Sequence, residues 1–248
     1  MAEEVWPDAQ PFSFEGGDIG VLVVHGFTGC TQSMLPLGKG LAEAGFTVLG
    51  PRLPGHGTNV KDMGTRKWTE WTGEAERGLK ELLERCEKVF VTGLSMGGTI
   101  TCFLGERYPE RIAGLMPINA AVAKLNPLMP LTPVAKYVLK TIPGVGSDIK
   151  DPGAKESCYD KVPVAAAAEL HALMKITRRD LAKITAPILV FASREDHVVP
   201  TTNGPFILDH VSSADKELVW LENSYHVATL DFDKELIIKR CVEFIESH

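Results

Sequence analysis

The chain has 248 residues, of which 44% are hydrophobic and 23% are charged, and this composition is typical of an ordinary globular protein with one α/β domain. Its net charge of -6 argues against nucleic acid or an anionic membrane surface as the main partner. No apolar run in the sequence approaches the roughly 18 residues needed to span a bilayer.

The N-terminal stretch MAEEVWPDAQPF lacks the basic and apolar regions of a signal peptide, so we expect none. The five cysteines are odd in number and far apart, and they form no C-x-x-C pair. Cysteines of this kind indicate reduced thiols rather than a disulfide framework or a zinc site. The sequence therefore predicts a cytoplasmic protein.

Short apolar runs alternate along the chain with longer segments of helical periodicity. The predicted strands, in chain order, are 20–26, 46–50, 88–94, 111–119, 187–193 and 216–221. The predicted helices are 32–44, 68–85, 97–107, 164–180, 203–210 and 233–246. Continuous apolar strands are typical of parallel sheets that are covered on both faces. The pattern predicts an α/β fold with a mostly parallel, doubly wound sheet, whose chemistry lies beyond the carboxyl ends of its strands.

Residues 120–163 interrupt this alternation. The segment is rich in Pro and Gly, yet it contains many Leu, Val, Ile and Met residues. Because a structureless loop of this length is uncommon in a compact domain, we predict a small helical cap, inserted after the fourth parallel-type strand and covering the active edge of the sheet. A surface insertion with no role at the site is the alternative. The core would then comprise residues 1–119 and 164–248.

A G-x-S-x-G motif, Gly93-Leu94-Ser95-Met96-Gly97, lies where a predicted strand passes into a predicted helix. In this motif the serine occupies a sharp strand-to-helix turn that projects its hydroxyl out of the sheet. The residues two before and two after it must be small, because strand and helix come close together there. The position of Ser95 therefore predicts a nucleophile.

A nucleophilic serine needs a histidine base and a carboxylate that orients this base, and here the chain order is Ser, acid, His. Asp196 follows a predicted strand in REDHVVP, and His226 lies between the last predicted strand and the last predicted helix. Glu195 should point to the other side of an extended segment. His197 is too close in sequence to Asp196 to bond with it. We therefore expect Asp196 and His226 to complete the catalytic triad.

The oxyanion that forms during acyl transfer needs hydrogen-bond donors, one of which is the backbone N–H of the residue after the nucleophile, Met96. A second donor should come from a loop after an early strand. In VVHGFTG the chain bends at His25-Gly26-Phe27 and offers the N–H of Phe27. The Phe27 ring and the Met96 side chain can also line an acyl pocket. The alternative for Phe27 is a loop hydrophobe packed on the cap.

With HGFTG, GLSMGG, EDHVVP and NSYHVATLD, the chain resembles the small bacterial monoacylglycerol lipases. It resembles slightly less closely the bacterial carboxylesterases of similar size; both groups are α/β-hydrolases. PRLPGHGT and PINAAV extend the resemblance over nearly the whole chain. The resemblance implies the α/β-hydrolase fold, a cap of similar length and the triad and oxyanion donors assigned above. Within the cap, GVGSD and KESCYDK match segments that close around glycerol, which implies substrate contacts for Val145 and Glu156; a solvated surface acid is the alternative for Glu156.

Together these observations predict a serine hydrolase that cleaves carboxylic esters through an acyl-enzyme, with no metal and no organic cofactor. A monoacylglycerol lipase that releases fatty acid and glycerol is the main interpretation. A broad-specificity carboxylesterase for short to medium acyl esters is the alternative within ester hydrolases. An acyltransferase, a C–C bond hydrolase and a non-catalytic binding scaffold are more distant alternatives. The expected partner is a small-molecule ester, and the sequence leaves open whether the chain is a monomer or a homodimer.

Overall fold

The structure is a computed structural model that describes residues 3–123, 125 and 127–248. The strands in these ranges are Phe12–Phe14 (β1), Ile19–Val24 (β2), Thr47–Gly50 (β3), Lys88–Leu94 (β4), Gly114–Ile118 (β5), Thr141–Pro143 (β6), Lys161–Pro163 (β7), Ile188–Ser193 (β8) and Lys216–Leu221 (β9). Seven of them form one sheet in the order β1-β3-β2-β4-β5-β8-β9. All neighbouring pairs in this sheet are parallel except β1 with β3, so the predicted mostly parallel sheet is confirmed.

Helices connect the strands and cover the sheet. The α-helices of the described residues are Leu35–Glu43 (α1), Val60–Thr65 (α2), Trp68–Arg85 (α3), Met96–Arg107 (α4), Thr132–Ala135 (α5), Val164–Asp180 (α6), Asn203–His210 (α7) and Lys234–Ser247 (α8). Short 3-10 turns lie at Pro7–Ala9, Thr31–Met34, Met129–Leu131 and Leu181–Lys183. The long parallel-sheet crossovers therefore contain helices, as parallel strands require.

Strand β2 shows why the sheet is covered on both faces. Its alternate side chains point to opposite faces. Leu22 and Val24 join an apolar core with residues of α3, α4, α6 and α7, whereas Val21 and Val23 join a second core with residues of α1 and α8. All four side chains are at most 1% exposed. A strand that is buried on both faces has to be apolar throughout, and this explains its continuous hydrophobic run.

Helix α4 is a core helix rather than a surface helix. All of its residues are buried except the last, Arg107, because the helix lies between the sheet and α6. Its first residue, Met96, follows directly after Ser95, which itself follows the last residue of β4. The apolar packing of this helix therefore fixes the position of Ser95 at the carboxyl edge of the sheet.

Outside residues 120–163, one strand and one α-helix, β1 and α2, have no counterpart in the sequence prediction. Strand β1 is a three-residue edge strand, too short to show periodicity. Helix α2 has six residues, and its start is set by Asn59, whose side-chain oxygen accepts the N–H of Asp62 at 2.9 Å. The predicted helix 32–44 is divided into a 3-10 turn and α1, which has Pro36 in its first turn.

We call residues 120–163 the cap segment; Lys124 and Asn126 within it lie outside the described residues. The described part contains a 3-10 turn, the short helix α5 and an antiparallel pair, β6 with β7, so its structure combines helix and strand. Several apolar side chains here are exposed, among them Tyr137 at 82% and Val138 at 83%. Among the helices that the structure describes, none is long and apolar enough to cross a membrane.

Candidate active site

Ser95 occupies the turn between β4 and α4 with a left-handed backbone, φ 58° and ψ -114°. Non-glycine residues rarely adopt such a conformation, and it persists only where the surroundings impose it. Its N–H donates to the carbonyl of Ile118 at 2.9 Å, which ties the turn to β5. A Cβ on Gly93 would lie 2.5 Å from the carbonyl carbon of Gly97, and one on Gly97 would overlap the carbonyl oxygen of Val24. The glycines thus permit the close approach that forms this turn.

Asp196 and His226 are in direct contact. His226 Nδ1 lies 2.8 Å from Asp196 Oδ2, and the two side chains are 8% and 2% exposed. The other carboxylate oxygen accepts the N–H groups of Val198 at 2.8 Å and Val199 at 2.7 Å. Since a carboxylate accepts the proton on Nδ1, the imidazole is held with Nε2 as its basic nitrogen. Glu195, by contrast, is about half exposed and pairs with Lys150.

The sheet order brings these residues to one edge. Ser95 follows β4, Asp196 lies beyond β8, and His226 lies in the loop after β9. Among the described residues, Ser95 Oγ makes no hydrogen bond to His226, so this contact is open in the present structure. Serine–histidine contacts of this type often shorten only when substrate is bound.

Asn119 connects the end of β8 to the loop that carries His226, and sequence reasoning did not single it out. Its amide nitrogen donates to Ser193 Oγ at 2.9 Å and to the carbonyl of His226 at 2.8 Å, while its oxygen accepts the N–H of Ser193 at 2.8 Å. It has φ 44°, a value that asparagine tolerates better than most residues. Its neighbour Ile118 accepts the N–H of Ser95, so consecutive residues at the end of β5 contact both the Ser95 turn and the loop that carries His226. The feature of the sequence that could have indicated a role for Asn119 is its position as a polar residue directly after a buried strand.

The loop after β2 is fixed by a buried histidine. His25 is fully buried; its Nε2 accepts the N–H of Leu53 at 3.0 Å, and its Nδ1 donates to the carbonyl of Gly26 at 2.9 Å. Burial lowers the pKa of His25 to about 4, so the ring stays neutral and can accept a hydrogen bond. A Cβ on Gly26 would lie 3.4 Å from Ser95 Cβ, which places this loop against the Ser95 turn.

Phe27 and Met96 flank this contact. The N–H of Phe27 follows Gly26 in the fixed loop, and the N–H of Met96 is the first of α4. Within the described ranges neither N–H donates to a protein acceptor, so both are available to a ligand. The N-terminus of α4 also favours negative charge, because its first N–H groups are unpaired. This is the arrangement that an oxyanion needs.

Glu156 is buried, only 9% exposed, rather than a solvated surface acid. Burial raises the pKa of its carboxyl to about 7, and the nearby His226 opposes this shift. The carboxylate lies against the loop after β2, since a Cβ on Gly29 would clash with it. Val145 lies on the surface of the cap segment and is 67% exposed. Within the described residues, no group of three or more His, Cys, Asp or Glu side chains could hold a metal ion.

Comparison with known proteins gives consistent matches. The family described as Serine aminopeptidase, S33 matches residues 18–157 and 147–233. The thermostable monoacylglycerol lipase of Bacillus sp. (strain H-257) is 47% identical over 250 residues, covering 100% of this chain and 99% of that protein. The carboxylesterase of Bacillus subtilis (strain 168) is 32% identical and covers 96% of each chain. A solved structure from work on LipS and LipT, two metagenome-derived lipolytic enzymes, has a TM-score of 0.96 at 46% identity, covering 99% of this chain and 100% of that one.

These matches span the sheet, the cap segment and the loops at the carboxyl edge. They confirm the resemblance to bacterial monoacylglycerol lipases and carboxylesterases, and they confirm the α/β-hydrolase fold. The chain belongs to the Serine aminopeptidase, S33 family of α/β-hydrolases, within its group of bacterial monoacylglycerol lipases and carboxylesterases.

Proposed function

We propose that this chain is a serine hydrolase that cleaves carboxylic esters, with Ser95 as nucleophile, His226 as general base and Asp196 as the acid that orients it. The observation that carries the proposal is the 2.8 Å contact between His226 and Asp196 at the same sheet edge as the strained Ser95 turn. The backbone N–H groups of Phe27 and Met96 are the proposed oxyanion donors.

The reaction would proceed in two stages. His226 Nε2 accepts the Ser95 proton as Oγ attacks the ester carbonyl, and the charge that develops on oxygen is stabilised by the N–H groups of Phe27 and Met96. Loss of one such donor typically costs about 3–4 kcal/mol in the transition state. Protonated His226 then passes its proton to the leaving alcohol. Water, activated by the same imidazole, releases the acid and restores Ser95, while Asp196 stays ionised throughout.

The substrate we propose is a monoacylglycerol, which gives fatty acid and glycerol. The 47% identical relative is a monoacylglycerol lipase, and its similarity covers the whole chain. We propose that residues 120–163 act as a cap over the core, that its apolar side chains accept the acyl chain, and that Val145 contacts the glycerol end of the substrate. About 0.8 kcal/mol per buried methylene would favour medium acyl chains over acetate. Glu156, buried beside His226, would accept hydrogen bonds from glycerol hydroxyls.

A broad-specificity carboxylesterase is the second candidate, favoured by the 32% identical carboxylesterase of Bacillus subtilis. Turnover of a monoacylglycerol should be compared with turnover of p-nitrophenyl and methyl esters of the same acyl chain. A higher kcat/KM for the glycerol ester supports the lipase, and equal values support the carboxylesterase. Comparable efficiency on trioleoylglycerol would count against both.

The Ser95→Ala variant tests the reaction itself. Without Oγ no acyl-enzyme forms, so we expect ester turnover to fall by about 10⁶-fold, to the background of the assay. The variant should also fail to take up a fluorophosphonate probe, measured by intact mass. Ser212→Ala is the matched control, because Ser212 Oγ donates to the carbonyl of Ala182 and follows α7 rather than the carboxyl edge of the sheet. Activity above a few per cent in a folded Ser95→Ala protein would refute the assignment.

We also propose that the enzyme works in the cytoplasm. Cys30, Cys86, Cys102, Cys158 and Cys241 are all free thiols in the structure, as a reducing compartment allows.

A further inference from the structure

Asp148, within the cap segment, contacts both the loop that carries Asp196 and the loop that carries His226. Its Oδ2 accepts the backbone N–H groups of His197 and of His226, each at 3.2 Å. Its Oδ1 lies 2.8 Å from the ring nitrogen Nδ1 of His197. The Asp148 side chain is only 11% exposed. One carboxylate therefore binds the loop after β8 and the loop after β9 at the same time.

The backbone around Asp148 is itself anchored to the base loop. The carbonyl of Asp148 accepts the N–H of Val227 at 3.0 Å. Lys150, two residues after Asp148, donates its N–H at 2.7 Å to the fully buried carboxylate of Asp231. The same carboxylate accepts the N–H of Tyr225 at 2.9 Å. The position of Asp148 thus does not depend on its own side-chain bonds alone.

These contacts lie immediately beside the catalytic pair. His197 is the next residue after Asp196, and Asp148 bonds the backbone of His226 itself. The contact between Asp196 and His226 joins two separate loops, so it forms only if these loops keep their relative positions. Hydrogen bonds to a charged carboxylate are about twice as strong as neutral ones, and a displacement of about 1 Å at a catalytic group can cost about 100-fold in rate.

We propose that Asp148 is a positioning residue for ester hydrolysis, which holds the acid loop and the base loop together through one carboxylate. The inference rests on the proposed function, because it assigns Asp148 a role in the reaction of Ser95, Asp196 and His226. It also gives the cap segment a part in assembling the site, beyond covering it.

The ring of His197 makes the effect of a substitution at Asp148 depend on pH, and a merely structural role would not produce this dependence. The groups that face this ring are Asp148, Glu195, Asp196, Tyr225 and, through Glu195 and the Tyr225 ring, Lys150. Its hydrogen bond and charge interaction with Asp148 raise the pKa of His197. A carboxylate at position 148 accepts from His197 in either charge state of the ring.

In the Asp148→Asn variant, the amide oxygen can still accept the two backbone N–H groups, which leaves its NH₂ facing His197 Nδ1. A neutral His197 can change tautomer, so that Nδ1 accepts an N–H of this amide. A protonated His197 carries a proton on Nδ1, so two donors face each other and repel. The defect of Asp148→Asn, relative to wild type at the same pH, should therefore be larger at about pH 5.5 than at about pH 8.5.

The experiment measures kcat and KM for a soluble p-nitrophenyl ester at both pH values. We expect Asp148→Ala to lower kcat by about 100-fold and to change KM by less than about threefold. Asp148→Asn should lie within about tenfold of wild type at the alkaline pH and lose about a further tenfold at the acid pH. Asp151→Asn is the matched control, since the hydrogen bond described for its side chain goes to the N–H of Gly153, and the variant should stay within about twofold of wild type.

Adding His197→Ala to Asp148→Asn removes the second donor, so the defect of the double variant should no longer depend on pH. Wild-type kcat in a folded Asp148→Ala protein would overturn the proposal. An Asp148→Asn defect of equal size at both pH values would also overturn it. This second comparison is the test if Asp148→Ala fails to fold. Ser95→Ala in the same assay separates the proposed function from the proposed role of Asp148. If Ser95→Ala is inactive while Asp148→Ala is fully active, only the positioning role of Asp148 is refuted.

Discussion

The left-handed backbone of Ser95 shows, at the scale of one residue, that the turn between β4 and α4 is formed by close approach of backbone segments. The G-x-S-x-G spacing was sufficient to predict it, because a turn this sharp requires glycine at residues 93 and 97. Asn119 and His25 were harder to assign to roles, since their partners lie far away in sequence. Asn119 bonds to the last residue of β8 and to the loop after β9, and His25 bonds to Leu53.

Gly97→Ala tests the close approach. The new methyl group would overlap the carbonyl oxygen of Val24 and lie 2.7 Å from that of His25. We expect the free energy of unfolding to fall by about 1–3 kcal/mol or more and esterase activity to fall with it. Gly73→Ala is the control, because nothing lies within 4 Å of its Cβ position in helix α3, and it should stabilise the protein by about 0.5–1 kcal/mol. Urea unfolding measures both; an unchanged Gly97→Ala would contradict the proposed geometry.

Glu156→Gln tests the burial of the carboxyl group. The pKa of Glu156 is raised from 4.5 to about 7, so between these values the folded protein keeps a proton that the unfolded chain has lost. Stability from this group is therefore present at low pH and is lost as pH rises through about 7. Because a pKa unit is worth about 1.4 kcal/mol, the full effect is on the order of 3 kcal/mol.

The amide of Glu156→Gln does not ionise, so the Tm of the variant relative to wild type should rise between about pH 5 and about pH 8. A Tm difference for Glu156→Gln that stays constant with pH would mean that the carboxyl is solvated.

At the scale of elements, the cap segment is attached to the core through polar groups as well as apolar ones. The Tyr159 hydroxyl accepts the N–H of Thr58 and donates to the carbonyl of Gly55, both at 2.9 Å. Its ring contacts Trp6 edge-on, with 5.0 Å between the ring centroids. Periodicity could not predict these contacts, because each joins segments that are at least 101 residues apart. The boundaries of the cap, 120–163, stay a prediction.

Tyr159→Phe removes the hydroxyl and leaves the buried N–H of Thr58 without this acceptor. Leaving a buried donor unpaired costs about 1–3 kcal/mol, so the midpoint of urea unfolding should fall accordingly. Tyr137→Phe makes the same chemical change at a side chain that is 82% exposed, and its stability should match that of wild type. If the two variants were equally stable, the polar attachment of the cap would contribute nothing.

At the scale of the whole molecule, the alternation of apolar runs and helical segments was enough to predict the sheet. Each of the six predicted strands overlaps one strand of the large sheet, because strands buried on both faces have an unmistakable composition. Strands β1, β6 and β7 escaped prediction because each has three residues, and three residues show no period. The Asp148 contacts could not be predicted either, since they depend on where the cap segment returns to the sheet edge.

The exposed apolar side chains of the cap segment, including Leu131, Val134 and Val138, have a practical consequence for studying this protein. Hydrophobic dyes such as ANS report unfolding because apolar surface is normally hidden until a protein loosens. Here the native molecule already offers such surface, so dye fluorescence will start from a high baseline and conceal the transition. Circular dichroism, or the emission of the fully buried Trp71, will follow the melting of this fold more faithfully.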